Sequence, residues 1–245
     1  MDGLRRAMGF LTIYPLRASD TWTPETLGSS MMYYPLVGLL IGLALWVLHS
    51  LLSTLFPFSV ANGLLLGGLV MMTGGLHLDG LADTIDGLSG GYSREETLQI
   101  FKDPHVGTMA VVAVVLILLV QYACLNALPV DAIPPVLVLL AVLSRFSMVQ
   151  LACFSPYARA SGGVGEPFVR GIKQEHFLTA MVVTMGIAIL FGGVRGFMIW
   201  LLVSLATLGY QTYFRRRLHG ITGDVLGATN TINETLVLVL ATMVY

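Results

Sequence analysis

The chain has 245 residues, is 56% hydrophobic and only 11% charged, with a mean hydropathy of +0.80. A soluble domain is roughly a quarter charged, so these values exclude an ordinary soluble protein and point to an all-α, polytopic integral membrane protein. A formal net charge of −1 gives no reason to expect a nucleic-acid partner.

The first residues carry Arg5 and Arg6 but then meet Pro15, Asp20 and Pro24 without a clean apolar run, so no cleavable signal peptide is expected. Apolar runs long enough to span a bilayer then predict seven helices, at residues 34–55, 60–76, 109–125, 133–154, 177–191, 197–214 and 232–245. The fifth and seventh are short. The runs are continuous rather than alternating, which selects helices over barrel strands. No internal repeat or linker breaks the pattern, so residues 1–245 read as a single transmembrane domain. Cys124 and Cys153 both lie in apolar runs and read as packing residues, not a disulfide.

The connecting segments are unequal. Residues 1–33, 77–108, 155–176 and 215–231 hold eleven of the thirteen Lys and Arg residues, including Arg215, Arg216 and Arg217. The alternate loops hold only Arg195, and Arg145 lies inside the fourth predicted span. The positive-inside rule makes the first set cytoplasmic and puts the N-terminus there. The acids follow the same side, which insertion does not require. Long polar loops on one face suggest a working surface at the cytoplasmic boundary.

His77-Leu78-Asp79-Gly80-Leu81-Ala82-Asp83-Thr84-Ile85-Asp86-Gly87 follows the second run. Asp79, Asp83 and Asp86 are spaced i, i+4, i+7 and share one face of a helix. If the second span continues past Leu76, its end presents a carboxylate stripe whose repulsion a divalent cation would relieve. Oxygen-only donors suit magnesium, manganese or calcium rather than zinc. The competing reading is that the Asp-Gly pairs mark solvated turns. Gly80, Ala82 and Gly87 would let a bulky ligand approach the backbone.

Other candidates fall on the same side. Lys102-Asp103 precedes the third span, and Pro156-Tyr157-Ala158-Arg159 follows the fourth. The glycine-rich 161–165 loop could cradle an anion. Thr222-Gly223-Asp224 precedes the last span. Arg145 is either functional or paired with another buried acid. The Arg215–Arg217 run reads as a topology anchor and headgroup contact. Carboxylates, cations and glycines together suit phosphoryl transfer.

These motifs resemble the cobalamin synthase family, also called adenosylcobinamide-GDP ribazoletransferase. The likeness runs through Phe10-Leu11-Thr12, Tyr14-Pro15, Tyr34-Pro35-Leu36-Val37-Gly38, the His77–Gly87 stretch, Lys102-Asp103, Gly107-Thr108, Ser144-Arg145, Pro156–Arg159 and Thr222–Ala228. It departs at Pro104-His105, where a more polar pair with an arginine is expected. The resemblance implies a magnesium-dependent enzyme of the bacterial cytoplasmic (inner) membrane. It would join adenosylcobinamide-GDP to α-ribazole or its 5′-phosphate, giving adenosylcobalamin or its phosphate and GMP. On that reading Asp79, Asp83 and Asp86 hold magnesium, and Asp86 or Asp103 is the base. His77, Lys102, Arg145, Arg159, Thr222 and Asp224 bind substrate and phosphate. The partners are the two substrates and the lipid bilayer, with a homo-oligomer and other enzymes of the pathway left open. The CDP-alcohol phosphotransferases rank second, because they usually carry Ala-Arg where this chain has Ala82-Asp83. A transporter ranks below both, since it predicts ionisable residues near the midplane and a repeat.

Overall fold

A computed structural model describes residues 2–14 and 22–245; Pro15 and Asp20 lie outside them. All regular elements described are helical: α1 Asp2–Leu11, α2 Pro24–Ser30, α3 Tyr34–Leu55, α4 Phe58–Thr73, α5 Leu76–Gly90, α6 Arg94–Ile100, α7 Thr108–Ala127, α8 Ile133–Cys153, α9 Glu166–Gly171, α10 Gln174–Leu218 and α11 Gly223–Val244. Five segments are long and apolar enough to cross a membrane: α2 running through a short turn into α3, α7, α8 with the short turn before it, α10 and α11. The α4–α5 pair makes a sixth if it is taken as one broken span. The 45-residue α10 is one of the five, but it is folded back at Gly193, whose φ of 56° and ψ of −137° are not helical. A methyl group at Gly196 would overlap the Ala188 carbonyl. Residues eight apart in a continuous helix lie about 12 Å apart, so the two arms of α10 form a hairpin.

α8 is the central helix. It is apolar all round and almost wholly buried, the pattern of a core helix, and it packs against α3, α10 and α11. The α3 contact uses glycines one turn apart. A methyl group at Gly38 would meet Val142 Cα at 2.8 Å, and one at Gly42 would meet Val138 Cα at 2.6 Å. Small residues at this spacing let two spanning helices touch backbone to backbone. α7 is the opposite case, with Val111, Val115, Leu116 and Leu119 exposed. Such a face suits lipid, and the chain is a multi-pass membrane protein.

The second predicted span does not continue into the acids. α4 ends at Thr73, Gly74 and Gly75 adopt left-handed φ values of 62° and 71°, and α5 departs at 89° to α4. All three acids nevertheless lie inside α5, so the turn reading of the Asp-Gly pairs is overturned. The glycines of α5 admit protein rather than ligand. A methyl group at Gly80 would stand 2.7 Å from the Asp224 carbonyl oxygen, and one at Gly87 would overlap the Phe101 ring.

The segments expected on one side meet at one end of the bundle. Arg94 donates to the Leu218 carbonyl at 2.8 Å and the Ala158 carbonyl at 2.6 Å. Arg217 donates to the carbonyls of Gly91 and Tyr92, so it caps the end of α5 and is more than a headgroup anchor. Tyr157 and Ile221 form a small parallel bridge that sets Pro156–Arg159 beside Thr222–Asp224. Cys124 and Cys153 are unpaired, as expected.

Gly80→Ala should destabilise the protein by about 1–3 kcal/mol and lower activity, because α5 must move away from α11. Gly67→Ala, with nothing within 4 Å of the added carbon, should be neutral or slightly stabilising. Thermal midpoints of both variants in detergent check this.

Candidate active site

The Gly80 contact is mutual. Gly227 of α11 faces Gly80, and a methyl group there would lie 3.4 Å from His77 Cα. This crossing brings the acid face of α5 up to the first turn of α11, where Asp224 sits. Asp83, half-buried, is raised from its ordinary value to about 6, first by burial, then by the charges of Asp79 and Asp224. Arg159 opposes that rise, and Asp86 adds a weaker push upward. One carboxyl thus feels three others and a single cation.

Asp224 is held from two sides. Arg159 Nη2 donates to its Oδ2 at 2.7 Å, and Thr222 Oγ1 donates to the same oxygen at 3.1 Å. Thr222 also accepts from the Val225 amide at 3.3 Å as the N-cap of α11. The Arg159 guanidinium lies 5.8 Å from the centre of the Phe101 ring. The 161–165 loop closes over this corner, with Gly165 pressed against Gly223.

Asp86 is committed elsewhere. Its Oδ2 accepts from the Gly107 amide and its Oδ1 from the Ala110 amide at 2.8 Å. It therefore caps the N-terminus of α7 from another helix, supplying the acceptor that Gly107 has no side chain to provide. Among the described residues no group of three or more His, Cys, Asp or Glu is arranged to hold a metal ion. Asp86, expected beside Asp79 and Asp83 in a metal site, turns both oxygens to the α7 amides.

Three further expected residues stand apart from the carboxylates. Asp103 is exposed and accepts from the His105 amide at 3.0 Å and from its ring Nδ1 at 2.6 Å. These bonds, backbone first, hold it below the usual carboxylate range. Lys102 Nζ donates to Ser161 Oγ at 2.9 Å. It shares a shallow cleft of about 380 Å³ with Arg94 and Arg159. Arg145 is fully buried and paired with Glu234, which also accepts from Asn230 Nδ2 at 3.0 Å. Arg145, expected to meet phosphate, has no part of it at the surface.

A cavity of about 200 Å³ opens beside the acids. Asp79, Asp224 and the buried His77 line one side; Phe10, Tyr34 and Phe168 line another. The Phe10 and Phe168 rings lie 4.4 Å apart. Sequence reasoning named Phe10 and Tyr34 as motif residues but gave no role to them or to Phe168. The three rings come from α1, α3 and α9, which no local spacing connects.

The profile of the family described as Cobalamin-5-phosphate synthase matches residues 3–242. The chain belongs to this family. Relatives in Geotalea daltonii, Syntrophobacter fumaroxidans and Acetivibrio thermocellus are 40%, 37% and 34% identical. The alignments cover 95%, 98% and 95% of this chain and 93%, 97% and 94% of those proteins. Each relative is named adenosylcobinamide-GDP ribazoletransferase. No solved structure matches the chain. Membership accounts for the shared motifs, and the geometry assigns their parts: Asp79, Asp83 and Asp224 cluster, Asp86 and Arg159 hold neighbours, and Arg145 is internal.

Asp83→Asn should raise the thermal midpoint at pH 7.5 in the presence of a chelator, since it removes a carboxylate that the folded protein must ionise at a cost. The Asp83 pKa is about 6 in the fold against an ordinary 3.8. The folded state therefore takes up a proton between those values, and the gain should shrink as pH falls through that window. Glu234→Leu alone should cost about 3–5 kcal/mol by leaving Arg145 unpaired, while Arg145→Met with Glu234→Leu should recover most of it. Denaturation in detergent measures both.

Proposed function

We propose that this chain is an adenosylcobinamide-GDP ribazoletransferase of the bacterial cytoplasmic membrane, with its N-terminus and carboxylate cluster on the cytoplasmic side. The observation that carries the reading is the meeting of Asp79 and Asp83 with Asp224, beside a cavity, in a chain of this family. The substrates are adenosylcobinamide-GDP and α-ribazole or its 5′-phosphate, and GMP leaves.

The donor set fits magnesium. The cluster offers hard carboxylate oxygens and no thiol, with His77 the one imidazole beside it, and the mutual repulsion of the acids calls for a cation. Magnesium commonly takes one or two carboxylates and completes its shell with water and phosphate oxygens, so a three-residue cage is not needed. Asp79 and Asp83 would hold it, with Asp224 facing them. When bound, it supplies charge neutralisation for the diphosphate.

The chain's own groups do the rest. The ribazole hydroxyl oxygen bonds to the phosphorus on the cobinamide side, and the bond from that phosphorus to the bridging oxygen of GMP breaks. A carboxylate of the cluster accepts the hydroxyl proton. Arg159 holds Asp224 in place and lends positive charge at the edge of the cleft where Lys102 and Arg94 could meet phosphate oxygens. The Arg145–Glu234 pair fixes α8 to α11 beneath the site and is a positioning element.

Purified protein in liposomes should release GMP from adenosylcobinamide-GDP only when α-ribazole and magnesium are both present, and should form a cobalamin product. Asp79→Ala and Asp83→Ala should lose at least about 100-fold in kcat with folding intact. Full activity in either variant removes the metal-site reading. Ribazole-independent release, or cation flux without transfer, removes the transferase reading.

A further inference from the structure

Resting on that transferase reading, we propose that the aromatic side of the cavity binds the flat base of the nucleoside acceptor, with Phe168 and Phe10 as its principal wall. The polarity of the cavity matches that molecule. Asp79 and Asp224 line one side, and Phe10, Tyr34 and Phe168 another. A nucleoside carries the same division: a hydroxyl-bearing sugar, where the reaction occurs, joined to a flat aromatic base. Placing the base against the rings puts the sugar next to the carboxylates that hold and deprotonate it.

Size excludes the other large group. A volume of about 200 Å³ accepts a bicyclic base and leaves a corrin macrocycle, several times larger, outside. The corrin therefore stays outside, which leaves the flat bases of the two substrates as the groups that could enter.

Guanine is the rival occupant, since the donor substrate also carries a flat base. Its edge bears several donors and acceptors, and burying them without partners is costly. The wall made by Phe10, Phe168 and Met148 is aromatic and aliphatic, and Tyr34 adds a single hydroxyl. A benzimidazole base has one free ring nitrogen and an otherwise apolar edge. A base edge with a single polar atom is the better match for such a wall. The rings are also held in place. Phe10 stacks toward Tyr34 with centroids 6.5 Å apart, and Phe168 is buried between α1 and α3. A preorganised aromatic wall loses little freedom when a base docks on it.

The test is steady-state GMP release by the full chain in liposomes, titrating each substrate at saturation of the other. Phe168→Ala should raise the KM for α-ribazole by roughly tenfold and leave the KM for adenosylcobinamide-GDP within about twofold. Phe168→Tyr should restore the wild-type value. Phe10→Ala, which alters a half-buried ring on α1, should move the same KM in the same direction by less, and it decides the matter if Phe168→Ala lowers the thermal midpoint. A rise confined to the KM for adenosylcobinamide-GDP assigns the wall to guanine and overturns the inference. So does an equal change in both KM values, or a fall in kcat alone. Wild-type protein that releases no GMP with any ribazole overturns the transferase reading itself, and this inference with it.

Discussion

The backbone contact between Gly80 and Gly227 is the constraint on which the site depends. Without it α5 and α11 could not approach closely enough to put Asp224 within the field of Asp79 and Asp83. The contact concentrates negative charge against burial, which the helices would avoid if they packed through larger side chains. The surroundings relieve part of that cost. Asp86 spends its charge on the α7 N-terminus, Arg159 neutralises Asp224, and Asp83 takes up a proton more readily than a free aspartate. What remains is an unbalanced pair of acids beside a cavity.

A second set of polar contacts lies deeper. Arg145, Glu234 and Asn230 connect α8 with α11 deep in the bundle, with Ser144 also bonded to Arg145. In such a medium neither charge survives without the other, so the pair fixes the register of the two helices. It also supports the floor on which α5 rests. The upper cluster gathers like charges, whereas the lower pair neutralises itself.

Much of this was legible in the chain, for identifiable reasons. The i, i+4, i+7 spacing of the acids is a local property, and α5 preserves it. The sharing of one end by the polar segments followed from basic residues, which mark sides strongly. The α4–α5 break was missed because Met71-Met72-Thr73 runs apolar into the glycines, although the Gly74-Gly75 pair was the available signal. The task of Asp86 was hidden because its partners are backbone amides on the next helix, and amides leave no trace in composition. The partner of Arg145 lies 89 positions away, and only the fold connects them. The aromatic side of the cavity was illegible for the same reason: its rings come from three helices.

The α5–α11 crossing also sets the order in which the site can be assembled. During synthesis the acids of α5 leave the ribosome more than a hundred residues before Gly227, and domains fold broadly from the N-terminus. Until the last helix inserts, α5 has no backbone to rest on at Gly80, and its acids lack the Asp224–Arg159 corner. The carboxylate face is closed by α11, so a translation product cut short before α11 would lack the α5–α11 contact and Asp224.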